Sequence, residues 1–498
     1  MPISITYDYN NAMAETIGAR HGLTESMLRD LEERARVVDG EIRALRRGGE
    51  IGFYDLADPQ SRAGELDEIV KLAEEIADRF ANFVVLGIGG SALGPICVQR
   101  ALNNLYYNLL ERHSRGNKPR LFVLDNIDPE LLGDTLDAVD PAETCFNVIT
   151  KSGETPETMS QFMAFYDRVA AKVGERRAGD HFVVTTSRDR GALRPVADQI
   201  GMRCLWIPND VGGRFSELTA VGLLPAAVAG IDIHGMITGA HAVAQRCDSS
   251  DLRKNPAYLN GAVHYLAEQF RGKTISVMMP YSEALRDVAD WYRQLWAESL
   301  GKRRGQPPHQ VCVGQTPVRA LGTTDQHSQI QLYVDGPNDK ILTFLAVEEF
   351  RREFGVGTLL NHRLPGLKYL AGRDISDLFR AEMEGTEFAL ARAERPSVRI
   401  TLKRVDAEHV GGLLFFFMIQ TAFAGGLYGI NAFDQPGVEM GKQAAAALMG
   451  RGKKPQDTKM MRQIEDYRSR RSHHAPVSIQ QGISLKSGSR SRRNRRRR

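Results

Sequence analysis

Cysteine is scarce and scattered in this chain. Its five cysteines (Cys97, Cys145, Cys204, Cys247 and Cys312) form no CxxC pair and no Cys/His cluster, which argues against a disulfide scaffold or a structural zinc and fits a reducing cytoplasm. No other set of residues has metal-ligand spacing, so no metal is expected. The start, Met-Pro-Ile-Ser-Ile-Thr-Tyr-Asp-Tyr-Asn, has no basic region followed by an apolar one, and no signal peptide is expected. Long apolar runs are also missing, with one exception. Val410 to Ile430 carries no charge and is long enough to cross a bilayer. Against a membrane span stand Gln420, Thr421, the Gly411-Gly412 and Gly425-Gly426 pairs and the acidic flank Asp406 and Glu408. The reading is a buried helix, with no membrane involved.

What remains is ordinary globular protein, 42% hydrophobic and 25% charged over 498 residues, enough for roughly two to four domains. The net charge of +4 is unevenly spread. Residues 451–498 hold 16 Lys and Arg against three Asp and Glu, a charge of +13, which leaves residues 1–450 at −9. The end, Ser487 to Arg498, has nothing apolar to bury and is expected to be disordered. Such a tail can touch nucleic acid nonspecifically, but the preferred reading is an extension with no part in the chemistry.

Short apolar runs alternate with helix-length segments. They are Phe83–Leu86, Leu121–Leu124, Phe146–Ile149 and His181–Thr185, and then Thr274–Met279 and Ile341–Leu345. This pattern predicts an α/β protein of two doubly wound α/β/α sandwiches with mainly parallel sheets. The expected divisions are an arm at 1–30, domains at 31–225 and 226–450, and a basic tail at 451–498.

Two strand-to-helix turns carry anion-binding chemistry. In Thr150-Lys-Ser-Gly-Glu-Thr155 the hydroxyls of Thr150, Ser152 and Thr155, the Lys151 ammonium and the free N–H groups of the next helix can cradle a phosphate. The same residues can also form a plain helix cap, with Pro156 at the first helical position. In the other turn, Gly87-Ile-Gly-Gly-Ser-Ala92 matches the dinucleotide fingerprint. However, the acid ending the next strand, Asp125, lies 35 residues after Gly90, well beyond the ~20 that a ribose contact needs. Gly90 and Ser91 are therefore read as sugar-phosphate contacts.

Five ordered blocks resemble the glucose-6-phosphate isomerase family. They are Gly87–Pro95, Lys151–Thr158, Asp210–Thr219, Trp296–Lys302 with Gly322–Ser328, and Gly429–Gln443. The resemblance implies two sugar-isomerase (SIS) domains and a cofactor-independent aldose–ketose isomerase that is a homodimer. The turn at 150–155 is similar to the shorter bacterial branch.

The resemblance also assigns roles. Glu298 would be the base that moves a proton between C1 and C2, a task suited to a carboxylate, with Gln294 one turn before it. Arg214 would hold positive charge where an enediolate forms. His327, from the neighbouring subunit, and Lys442 would open the sugar ring. Each residue has a plainer alternative. Glu298 could pair with Lys302 at i, i+4, Arg214 could pair with Glu217, His327 could be a loop histidine, and Lys442 a solvated lysine. An isomerase of another sugar phosphate, such as mannose 6-phosphate, and a non-catalytic sugar-phosphate sensor also fit the motifs. An RNA-binding protein would follow from the tail alone.

Overall fold

The computed structural model describes residues 3–306, 308–451 and 455–471. The chain divides into two compact units, Met1–Asp434 and the segment from Gln435 onward. The tip of the basic tail, Ser487 to Arg498, lies outside the described residues.

The first strand, β1 (Ile5–Asp8), comes from the expected arm. A parallel sheet follows, made of β2 (Asn82–Leu86), β3 (Arg120–Leu124), β4 (Thr144–Ile149), β5 (Phe182–Thr186) and β6 (Arg203–Trp206). Its order is β3-β2-β4-β5-β6. β2 and β4 are buried at every position, as strands covered by helices on both faces must be. β7 (Ile275–Pro280) opens the second sheet. β8 (Lys302–Arg304) and β9 (Val311–Val313) form a small antiparallel ribbon. β10 (Thr316–Arg319), β11 (Lys340–Glu349) and β12 (Ser397–Arg404) complete the second sheet, in the order β1-β12-β11-β7-β10.

Every pairing in these two sheets is parallel except one. β1 lies antiparallel on β12, with Ile5 opposite Leu402 and Asp8 opposite Arg399. The amino-terminal residues thus supply an edge strand to a sheet whose other members start about 270 residues later. Both sheets and the helices around them lie within Met1–Asp434, and the unit boundary falls after Asp434 rather than at residue 450. Beyond it, Glu439–Leu448 and Pro455–Arg471 are helices that pack on each other.

The charge-free run is the helix Ala407–Tyr428. Asp406 caps it, its carboxylate accepting from the His409 N–H at 2.9 Å, and almost every residue is buried. Its glycines permit close helix contacts. A Cβ on Gly411 would lie 2.1 Å from the Met236 carbonyl oxygen, and one on Gly426 would lie 2.3 Å from Val38. This helix packs on Ile233–Arg246, Pro256–Arg271 and Arg286–Leu300. Its apolar length is thus consumed inside the protein, where full burial of each phenylalanine contributes about 1.5–3 kcal/mol.

Candidate functional site

The helix Arg286–Leu300 presents an apolar stripe to the core. Leu285, Val288, Ala289, Tyr292, Leu295, Trp296 and Ser299 are all buried. Tyr292 stacks on Trp296 at 5.4 Å and meets Phe417 at 4.9 Å, which fixes the helix about its axis. Gln294 and Glu298, one turn apart, therefore lie on a defined neighbouring flank. The Gln294 amide donates to one Glu298 carboxylate oxygen at 3.1 Å, and Arg214 Nη1 donates to the other at 3.2 Å.

Arg214 is buried and its guanidinium is shared among several acceptors. Nε donates to Ser299 Oγ at 2.7 Å, and Nη2 donates to the carbonyls of Ala432 at 2.6 Å and Asp434 at 3.0 Å. Burial pulls its pKa down, and the Glu298 carboxylate opposes that. Arginine keeps its charge in such a place, so a fixed cation stands against a half-exposed carboxylate. That pairing suits stabilisation of negative charge developing beside the base.

Two local alternatives from the sequence are not what forms. Lys302 does not pair with the Glu298 carboxylate. Its ammonium donates to the Glu298 carbonyl at 2.8 Å and to Asp434, through the carbonyl at 2.6 Å and an ion pair at 3.2 Å. It pins the end of the helix and leaves the carboxylate to Gln294 and Arg214. Nor does Arg214 pair with Glu217, whose carboxylate is buried without a hydrogen-bond partner.

The turn after β2 reaches this cluster directly. Gly89 has φ +57°, and a Cβ there would lie 2.9 Å from the Gln294 amide nitrogen; one on Gly90 would lie 2.2 Å from the Gly213 carbonyl oxygen. Only glycine allows that approach. Ser91 closes the turn, its N–H donating to the Ile88 carbonyl at 3.1 Å. The hydroxyl turn follows β4, the parallel neighbour of β2, so both turns emerge side by side at the carboxyl edge. That edge is where open α/β sheets bind ligands.

In the second turn Thr150 Oγ1 lies 2.9 Å from Thr155 Oγ1 and 3.5 Å from Ser152 Oγ, which is 3.4 Å from Thr155 Oγ1. Thr155 occupies the cap position of the helix Pro156–Val173 but makes no side-chain capping bond. Its hydroxyl joins the other two instead, which favours the cradle over the plain cap. The Lys151 ammonium donates to the carbonyls of Asn209 and Val211, each at 2.8 Å. It fastens the turn to the loop leading into Arg214, and burial lowers its pKa.

The remaining two residues are His327 and Lys442. His327 ends the short helix Thr324–His327, is exposed, and makes no hydrogen bond or ion pair among the described residues. Lys442 belongs to the second unit, on the helix Glu439–Leu448, where it is exposed and pairs with Glu439 at 3.0 Å.

The sequence reading missed Ser299 and Asp434 at the site, and named Lys302 and Glu217 only as alternative partners. The Asp434 signal was present in the block Gly429–Gln443, but its partners Lys302 and Arg214 lie 132 and 220 positions away. Glu217 has both carboxylate oxygens buried and without a hydrogen-bond partner. They rest against two glycines: a Cβ on Gly94 would lie 1.7 Å from Oε2, and one on Gly222 2.2 Å from Oε1. Burial raises its pKa well above the usual value, so the proton stays on. The stability this proton brings is complete below the unfolded-state value of about 4.5 and is lost as pH rises toward the folded value. Glu217→Gln removes that dependence. Its unfolding constant, by urea titration at a series of pH values, should fall relative to wild type as pH rises from about 4.5 toward the folded-state value. Parallel pH profiles would refute a protonated Glu217.

A parallel α/β sheet with a glycine turn, a hydroxyl cradle and an Arg-backed carboxylate at a half-open helix flank defines a sugar-phosphate-handling class of fold. A family profile described as phosphoglucose isomerase matches residues 71–465, and the chain belongs to that family. It is 46% identical over 449 residues to a glucose-6-phosphate isomerase of Carboxydothermus hydrogenoformans, covering 90% of this chain and 95% of that one. A Rubrobacter xylanophilus glucose-6-phosphate isomerase is 41% identical over 448 residues, covering 90% and 98%. Among solved structures, a hypothetical protein from Thermus thermophilus superposes with a TM-score of 0.78 at 32% identity, covering 90% of this chain and all of that one. A glucose-6-phosphate isomerase from Chlamydia trachomatis shares the fold, with a TM-score of 0.77 at 21% identity and coverage of 93% and 92%.

Proposed function

We propose that this protein interconverts glucose 6-phosphate and fructose 6-phosphate, a step of glycolysis and gluconeogenesis. The observation that carries the reading is the Glu298 carboxylate held between Gln294 and Arg214 in a member of this family. The hydroxyls of Thr150, Ser152 and Thr155, with Gly90 and Ser91, take the phosphate; Lys151 braces that turn. Binding at this remote group places C1 and C2 beside Glu298. Glu298 carries the proton between the two carbons through a cis-enediol, and Arg214 stabilises the oxyanion. His327 and Lys442 open the ring. Formation of fructose 6-phosphate labelled at C1 from glucose 6-phosphate in deuterated water tests the reaction. The label enters to the extent that the proton on Glu298 exchanges with solvent before transfer; absence of product would overturn the reading.

The five cysteines are all unpaired, which supports a cytoplasmic location. A homodimer is the expected assembly, with His327 completing the partner's site. Two features support it: the exposure of His327 and the exposed apolar side chains Phe354, Leu359, Leu360 and Tyr369 beyond β11. Unfolding and refolding an equal mixture of the inactive Glu298→Gln and His327→Ala proteins checks this. About a quarter of wild-type activity should return, because half the dimers are mixed and each has one intact site. If sites are built within one subunit, none returns.

A further inference from the structure

The two sheets share a topological feature, and the site described so far uses it only in the first. In the first sheet the chain steps from β2 to β3 on one side and then returns to β4 on the other. The strand order therefore reverses between β2 and β4, where the glycine and hydroxyl turns lie. In the second sheet the chain steps from β7 to β10 on one side and then to β11 and β12 on the other, so the reversal falls between β7 and β11. Ligands of open α/β sheets sit beyond the carboxyl ends of strands at such a point.

A cavity of about 870 Å³ opens there, within the size range of small-molecule sites. Ser282 to Ala284, following β7, and Phe350 to Arg352, following β11, line it, and the loop between Leu102 and Lys118 closes it. The cavity is remote from Glu298. The helix Arg286–Leu300 starts beside the cavity and carries Glu298 near its far end, and its 15 residues span about 22 Å.

The cavity's charges are unbalanced. Arg115, Lys118, Arg351 and Arg352 line it, and among the described residues none has a carboxylate partner. Arg115 donates to the carbonyls of Lys118, at 3.2 Å, and Leu110. Arg351 donates to those of Leu102 and Asn103 at 3.1 and 3.3 Å. The two acids in the lining are already neutralised, Glu283 by Arg100 and Arg286 and Glu349 by Lys403. Burial and then the like charge of Arg352 lower the Arg351 pKa, as expected where cations face one another without an anion. The rest of the wall is mixed, with Asn103, Asn104, Ser114 and Ser282 among apolar side chains that include Phe350 and the exposed ring of Tyr106.

We infer that this cavity is a second anion site, separate from the isomerase site, for a phosphorylated small molecule with an aromatic body, of the nucleotide class. The cations hold the phosphates, and Tyr106 and Phe350 receive the ring.

The test is calorimetric titration of the full-length protein with ATP while saturating fructose 6-phosphate occupies the isomerase site. One ATP per chain should bind, more tightly than inorganic phosphate does. The double variant Lys118→Glu/Arg352→Glu should weaken ATP at least tenfold and leave KM for fructose 6-phosphate unchanged. Tyr106→Ala, a change at an exposed side chain, should weaken ATP several-fold and leave phosphate binding alone. Loss of ATP binding under saturating fructose 6-phosphate would place the nucleotide in the isomerase site and overturn the inference. Wild-type ATP affinity in the double variant would overturn it too. ATP binding no tighter than phosphate would overturn the aromatic body.

Discussion

Glu298→Gln is expected to abolish nearly all turnover, lowering kcat by about 100- to 10,000-fold, the range contributed by a positioned general base, while the protein stays folded. The amide keeps the size of the carboxylate and can still accept from Arg214, so the packing around the helix is undisturbed. The capacity to take a proton from carbon is lost, and the new NH2 group faces Gln294, whose amide must turn its carbonyl toward it. Deuterium incorporation at C1 during conversion of glucose 6-phosphate should fall by the same factor as kcat, and urea unfolding should match wild type. Turnover that persists in this variant would remove Glu298 from the proposed mechanism. A loss of stability equal to the loss of activity would show a structural role instead.

Arg214→Ala is the second large effect, and it should register in two measurements at once. Loss of an oxyanion-stabilising donor costs about 100- to 1,000-fold in kcat. The guanidinium also ties Glu298 and Ser299 to the carbonyls of Ala432 and Asp434, bringing the base helix and the 432–434 segment together. Its removal leaves the Ser299 hydroxyl and the buried Ala432 carbonyl without their donor, at about 1–3 kcal/mol for each buried group left unsatisfied, so the urea midpoint should drop. Arg214→Lys separates the two contributions. It keeps the charge but loses the fork that reaches several acceptors together, and should recover part of kcat with little of the stability. A wild-type midpoint in Arg214→Ala would mean that the bonds of this guanidinium add little to the fold.

Some of this was legible in residue order because it is local. Strands β2 to β5, β7 and β11 announce themselves as short apolar runs, with a glycine turn after β2 and a hydroxyl turn after β4. The helix Arg286–Leu300 shows its buried stripe at helical spacing. The charge-free run was readable as a core helix from Gln420, Thr421 and its glycines, which proved to be points of close helix contact. β6, β10 and β12 were not singled out, being short or mixed in polarity. β1 was hidden because an edge strand of four residues acquires its identity only from the partner it pairs with.

Site chemistry divides along the same line. Residue types and the order of the blocks already pointed to a phosphate turn, a carboxylate base and an arginine. Which way the hydroxyls of this turn point was open until the side-chain directions were known: Thr155 turns toward Thr150 and Ser152 and makes no capping bond to its own helix. Whether Glu298 pairs with Lys302 or Arg214 was equally open. Helical spacing favours the near lysine by a few tenths of a kcal/mol, and burial of Arg214 against several distant acceptors outweighs that. Whether Glu217 is charged or neutral rests on the same kind of fact, since the packing of Gly94 and Gly222 around it excludes the water that a carboxylate requires. Composition and pattern thus settled which chemical groups this protein has and in what order. Folding alone settled which of them meet, because burial and hydrogen bonding depend on neighbours that are distant along the chain.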